Sequence, residues 1–130
     1  MPYAINHVHI RSIDPHNSAA WYERHFGAKI VSEREVMPGT ITIGMEVGGS
    51  CRLNISSKPD GSSDERAVAG LNRLGLEHFG FDVENLKEEL ERLENSDVRI
   101  VLPLTDVGRG TCLAYVEGPD NVLIELVEHK

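Results

Sequence analysis

Cysteine is scarce in this chain. Its 130 residues hold two, Cys51 and Cys112, and neither falls in a CxxC or CxxCH pattern. No disulfide framework is indicated, and both thiols are expected to be small apolar groups in a reducing compartment. There is no basic run either. Arginines are scattered, and the net charge is −8. That balance argues against binding to nucleic acid or to anionic membrane surfaces. No apolar stretch approaches the ~20 residues a membrane helix needs. The start, "MPYAINHVHI", has no basic segment followed by a long apolar run, so no signal peptide is expected and the expected location is the cytoplasm.

The remaining composition is that of a soluble globular chain, with 40% hydrophobic and 26% charged residues. This length fits one domain, or two half-size modules sharing a sheet. Such a chain buries roughly 65–70% of its unfolded surface and needs no covalent staple to fold.

"INHVHIRSIDP" alternates like a strand, with Val8 and Ile10 on one face and His7, His9 and Arg11 on the other. "DPHNSAAWYERHFGA" follows as a helix, with Asp14 as cap, Pro15 in its first turn and Gly27 as stop. Ala19, Tyr22 and Phe26 form its apolar stripe. "AKIVSEREV" reads as a strand, and "PGTITIGMEVGGSCRLNISS" as a hairpin around Gly48-Gly49. The stretch 58–74 is linker-like, although "SDERAVAGLNRL" has the makings of a short helix. "LEHFGFDV" is a further strand, with Phe79, Phe81 and Val83 on one face. "ENLKEELERLENS" is an amphipathic helix with Leu86, Leu90 and Leu93 in register. "VRIVLPL" is a strand, and "RGTCLAYVEGPDNVLIELVEHK" a hairpin turning at residues 118–121.

The element order βαβββ therefore occurs twice. His7 and His78 lie 71 positions apart, as do the helix caps Asp14 and Asn85. The same offset relates Gly48-Gly49 to Pro119-Asp120 and Asn54 to Glu125. Several features at one offset inside two copies of one element order indicate an internal repeat. The expected domain is a single one, made of module 1–57, linker 58–74 and module 75–130.

Strand parity puts Arg52 and Asn54 opposite Cys51, Leu53 and Ile55, and puts Glu125 opposite Ile124 and Leu126. Each module thus offers two inward candidates, His7 with Asn54 and His78 with Glu125. Two imidazoles and a carboxylate suit a divalent metal of borderline softness. Taken singly, a strand histidine is more often hydrogen-bonded or exposed than a ligand. Glu125 is harder to explain blandly, because it lies in the apolar run "VLIELV". An ionised carboxylate there costs several kcal/mol unless something pairs with it. A metal is one solution; Arg11 or Arg52 is another.

At these residues the sequence resembles the vicinal oxygen chelate superfamily, which includes glyoxalase I, methylmalonyl-CoA epimerase, extradiol dioxygenases, and fosfomycin- and bleomycin-resistance proteins. "INHVHIRSID…AAWYERHFGAKIV" carries the resemblance in the first module. "LEHFGFDVENLKEELERL" and "GTCLAYVEGPDNVLIELVE" carry it in the second. It implies an α+β fold in which two βαβββ modules form a curved mixed sheet with helices on its outer face. It also implies His7, His78 and Glu125 as ligands of one divalent ion per site, of the Zn, Ni, Co, Mn or Fe(II) kind. The fourth position, Glu in glyoxalase I and Gln in the epimerase, is Asn54 here. With two neutral histidines and one glutamate the site has formal charge +1, a stronger Lewis acid than one with a second glutamate.

The leading expectation is a glyoxalase-like lyase or isomerase that stabilises an enolate or enediolate of a small oxygenated substrate, with Glu125 as ligand and base. An extradiol-type Fe(II) dioxygenase is the second expectation, since two histidines and a carboxylate with open positions suit that chemistry. A binding or drug-resistance protein without catalysis is the third. His9, about 6–7 Å beyond His7 on the same face, is placed to touch substrate or to sit on the rim. Arg52 and Asn54 are candidate substrate contacts. Arg109 in "GRG" is a candidate anion clamp or an ordinary turn residue. Tyr115 is expected to line the pocket. His16, His25 and His129 read as surface residues, and Trp21 as packed between helix and sheet or at a subunit contact. The resemblance further implies a homodimer, whose metal is held across the interface in some relatives and within one chain in others.

Overall fold

Asp14 starts the first helix by accepting a hydrogen bond from the Asn17 amide (3.1 Å), with Pro15 in the first turn. Gly27, at φ 66°, ends it in the left-handed conformation that a residue without Cβ adopts most cheaply. Asn85 caps the second helix in the same way through the Glu88 amide (3.2 Å), and the Glu128 carboxylate also accepts from the Leu86 amide (2.8 Å). The structure, a computed structural model, describes residues 2–49, 51–65, 70–72 and 74–130.

The element order is β1 (His7–Ser12), α1 (Pro15–Phe26), β2 (Lys29–Met37), β3 (Thr40–Glu46), β4 (Arg52–Ser57), then β5 (Phe79–Asp82), α2 (Leu86–Asn95), β6 (Ile100–Gly108), β7 (Thr111–Gly118) and β8 (Val122–His129). A short 3-10 turn, Pro119–Asn121, joins the last two strands. The chain divides into compact units at 1–65 and 66–130, inside the stretch expected as linker. The short helix expected within "SDERAVAGLNRL" falls partly on residues outside those described, and residues 63–65, 70–72 and 74 of that stretch are not helical.

In the first unit the sheet order is β1-β4-β3-β2, with β1 and β4 parallel and the other neighbours antiparallel. Register fixes its two faces. Val8, Leu53 and Met45 lie abreast, as do Ile10, Ile55 and Ile43. This is the core face. Ile43, Met45 and Ile55 are fully buried, and the Ser12 hydroxyl bonds Ser18 of α1 (2.7 Å). The opposite face carries His7 beside Arg52, His9 beside Asn54 and Gly44, and Arg11 beside Ser56 and Thr42.

The second unit repeats the scheme as β5-β8-β7-β6. Ile124 lies beside Phe79 and Val116, and Leu126 beside Phe81 and Ala114, on the face packed against α2. Leu86 and Leu93 of α2 are fully buried, as the heptad-like spacing predicts. The opposite face carries Gly80, Glu125 and Tyr115 abreast, with Asp82, Val127 and Leu113 as the next row.

Histidine 25 departs from expectation. It is 5% exposed and packs against Trp21, with ring centroids 4.9 Å apart. Ser18, Tyr22 and His25 recur at helical spacing on the buried side, so His25 shares the stripe that Phe26 was expected to complete. His16 and His129 are exposed, bonded to Glu33 and Thr111. Cys112 is buried and Cys51 partly so, both as free thiols.

Candidate metal centre

Parallel pairing of β5 with β8 brings His78 and Glu125 together from opposite ends of the second unit. His78 Nε2 lies 3.7 Å from Glu125 Oε2, beyond hydrogen-bond range. The other ring nitrogen, Nδ1, lies 2.9 Å from Glu77 Oε1. Oxygen of a carboxylate only accepts, so Nδ1 carries the proton of that bond, and in the neutral ring Nε2 is the nitrogen that keeps a lone pair. Glu77 is held in turn by the backbone amide of Asn72.

Tyr115 completes the group. Its hydroxyl donates to Glu125 Oε2 at 2.7 Å, and its ring meets the His78 ring edge-on at 5.0 Å. Burial, together with the carboxylates of Glu125 and Glu77, pushes the phenol pKa up to about 12, so it remains a donor at physiological pH. Tyr115 and Leu123 form a small apolar cluster with Leu71, Val101, Leu102 and Leu113 packed against it. The carboxylate thus sits at the edge of a greasy floor. Within its unit the carboxylate accepts a hydrogen bond from Tyr115, and the His78 ring stands 3.7 Å away. In the first unit Arg11 donates to the Ser57 carbonyl (2.8 Å), and Arg52 faces Glu46 at 3.7 Å.

Gly80 gives Glu125 its room. A Cβ there would stand 3.3 Å from Glu125 Cβ, 3.4 Å from its carbonyl oxygen and 3.5 Å from Oε1. Gly44, beside Asn54 in the first unit, is similarly bare: a Cβ would stand 2.5 Å from Ser32 Oγ and 3.5 Å from Asn54 Oδ1.

In the first unit His7 is exposed, and its Nδ1 lies 2.8 Å from Asn6 Oδ1. His9 Nε2 bonds Ser56 Oγ (2.9 Å), which bonds Thr42 Oγ1 (2.8 Å), giving a chain of three polar groups. Partial burial and the neighbouring Arg11 and His7 lower the His9 pKa, which favours its neutral form. Arg109 is exposed at the tip of the β6–β7 hairpin, with φ 55° between Gly108 and Gly110. It is six positions from Tyr115, about 20 Å of extended chain.

These rows of residues sit on one four-stranded sheet built twice, and comparison with known proteins identifies the family. The profile of the Glyoxalase/Bleomycin resistance protein/Dioxygenase superfamily matches residues 4–126. The chain belongs to that superfamily. Glyoxalase I of Saccharomyces cerevisiae is 23% identical over 148 aligned positions, which cover 96% of this chain and 44% of the yeast protein. The chain thus spans under half the length of that curated relative. Among solved structures, the trypanothione-dependent glyoxalase I of Leishmania major superposes with a TM-score of 0.75 at 22% identity, over 98% of this chain and 87% of that one. A glyoxalase family protein of Enterococcus faecalis gives 0.73 at 26% identity, over 95% and 96%.

Within this superfamily fold the offset of 71 extends beyond the Asn54–Glu125 pair to its neighbours on both sides. His9, Asn54 and Gly44 in one unit stand where Gly80, Glu125 and Tyr115 stand in the other. Asn6 and Glu77 occupy equivalent places before His7 and His78. Counting that offset outward from each histidine would have flagged Glu77 and Gly80.

The donor set of the second unit fits a divalent ion. Imidazole nitrogen and carboxylate oxygen each bind zinc at about 2.0–2.2 Å, so two such donors can share an ion up to about 4.2 Å apart. Among the described residues no three His, Cys, Asp or Glu side chains cluster closely enough to hold a metal by themselves. An ion held by His78 and Glu125 would therefore need a further ligand.

Proposed function

We propose that this protein is a divalent-metal-dependent lyase or isomerase that moves a proton on a carbon next to a carbonyl of a small oxygenated substrate. The observation that carries this reading is the His78–Glu125 pair, with Nε2 turned toward the carboxylate and Nδ1 committed to Glu77. His7 is the third ligand, supplied either by the same chain or by a second copy in a homodimer, and Asn54 stands at the fourth place. Glyoxalase I of yeast and of Leishmania major support the reaction class by likeness.

A divalent ion, when bound, supplies the Lewis acidity that lowers the cost of a developing oxyanion. The chain's own groups do the rest. Glu125 serves as base, taking the proton through Oε1, which lies over bare Gly80, while Tyr115 holds Oε2. Both oxygens of one carboxylate thus have distinct tasks. The cluster of Tyr115, Leu123, Leu113 and Leu102 offers an apolar floor that excludes water from the reacting carbon. His9, favoured in its neutral form and joined to Ser56, provides a second group able to exchange a proton with substrate oxygen. Asn54 and Arg52 on the polar face of the first unit contact substrate oxygens.

Two measurements decide this reading. Protein purified without chelator should carry one divalent ion per site, and His78→Ala should lose it. Loaded protein should exchange deuterium into 2-oxoaldehyde thiohemiacetals or related α-hydroxycarbonyl compounds, and Glu125→Gln should abolish the exchange. Absence of bound metal together with unaltered ligand binding in His78→Ala would point instead to a binding protein. Fe(II)-dependent oxygen uptake with catechols would point to a dioxygenase, which the single carboxylate of the ligand set also suits.

A further inference from the structure

Two histidines in this chain are handled alike by the residue directly before them. Asn6 Oδ1 lies 2.8 Å from His7 Nδ1, and Glu77 Oε1 lies 2.9 Å from His78 Nδ1. The pairs fall 71 positions apart, at the entrance of the equivalent strands β1 and β5. Both partners are pure acceptors at the oxygen concerned, so each ring must be protonated on Nδ1. One partner is neutral and the other ionised. Glu77 is also the better anchored, since its second oxygen accepts from the Asn72 amide and its side chain is 21% exposed.

We infer that Glu77 is a positioning residue: it fixes the Nδ1–H tautomer and the ring orientation of His78, so that Nε2 is delivered as a metal donor. Asn6 performs the weaker, uncharged version for His7. The inference rests on the metal reading given under Proposed function, but its first consequence, the tautomer, does not. A carboxylate behind the imidazole makes Nε2 more electron-rich than an amide does, so His78 is the stronger-held ligand of the two. The Asn72 amide gives the carboxylate a fixed direction, which links ligand orientation to the 70–72 loop.

The test uses full-length 15N-labelled protein, stripped of metal and held above the histidine titration range. Two-bond 1H–15N correlations read which ring nitrogen carries the proton. His78 is expected in the Nδ1–H form in the wild type and in Glu77→Gln, whose amide oxygen still accepts. Glu77→Ala should release it to the Nε2–H form that free imidazole favours. Zinc affinity, measured by competition with a chromogenic chelator, should fall by about 10–100-fold in Glu77→Ala and by less in Glu77→Gln. Finding His78 in the Nε2–H form in the wild type overturns the inference, and does so even if the alanine variant fails to fold. Unchanged zinc affinity in Glu77→Ala overturns it as well. A wild type with the Nδ1–H tautomer but no zinc binding overturns the metal reading while leaving the tautomer assignment standing.

Discussion

Replacing Tyr115 with phenylalanine isolates one hydrogen bond. The ring and its edge contact with His78 (5.0 Å) are kept, and only the hydroxyl that donates to Glu125 Oε2 at 2.7 Å is lost. A hydrogen bond to an ionised group contributes about 1.5–3 kcal/mol, but the Glu125 side chain is 18% exposed, so water replaces part of the loss. The expected destabilisation is about 1–2 kcal/mol at neutral pH. At roughly 3–5 °C per kcal/mol for a domain of this size, the melting temperature should drop by about 3–10 °C. The pH dependence gives a second, independent check. The phenol titrates near 10 in the unfolded chain and at about 12 in the folded one. A raised folded value means that its stabilisation is fully present below pH 10 and is lost as pH rises from 10 through 12. Urea denaturation of metal-free wild type and Tyr115→Phe, from pH 7 upward, should show a stability gap that is flat to pH 10 and then closes. A gap that is absent at pH 7, or that persists unchanged above pH 12, would refute the pairing of Tyr115 with Glu125.

Three further outcomes are expected. His9 has a lowered pKa, so the native state resists its protonation and wild-type stability should fall as pH drops below 6.5; in His9→Gln that component of the urea midpoint should vanish. Gly80→Val places a side chain 3.3 Å from Glu125 Cβ and should cost about 1–3 kcal/mol in denaturant titrations. The same variant should bind zinc more weakly in calorimetry, and unaltered affinity would show that Glu125 does not depend on the bare backbone beside it. Asn85→Ala removes the α2 cap and should lower unfolding free energy by about 1 kcal/mol, with no effect on zinc affinity.

Much of the architecture was legible because its signals are local. Alternation marked β1 and the β3–β4 hairpin, strand parity gave the faces of β5 and β8, and Asp14, Asn85 and Gly27 marked the helix ends where they are found. β6 runs to Gly108, four residues beyond the strand expected from "VRIVLPL". His25 escaped because a polar residue at helical spacing with Ser18 and Tyr22 was read by type rather than by phase. The partner of Glu125 escaped for a different reason. Arginines were the obvious candidates by charge, whereas the antiparallel register of β7 with β8 sets Tyr115 directly beside it. Glu77 and Asn6 passed unnoticed because their role depends on a side chain folding back onto the next residue, which strand parity does not describe.

The order of residues alone determined the two βαβββ copies, their 71-residue spacing and the face on which each polar candidate lies, since all of these follow from periodicities within a few neighbours. Tertiary structure decided which groups actually meet: His78 with Glu125, Tyr115 with the same carboxylate, and bare Gly80 on the other side of it. The physical reason is that backbone hydrogen bonding between strands joins residues remote along the chain, and a shift of one position in that pairing would have turned every one of these side chains to the opposite face.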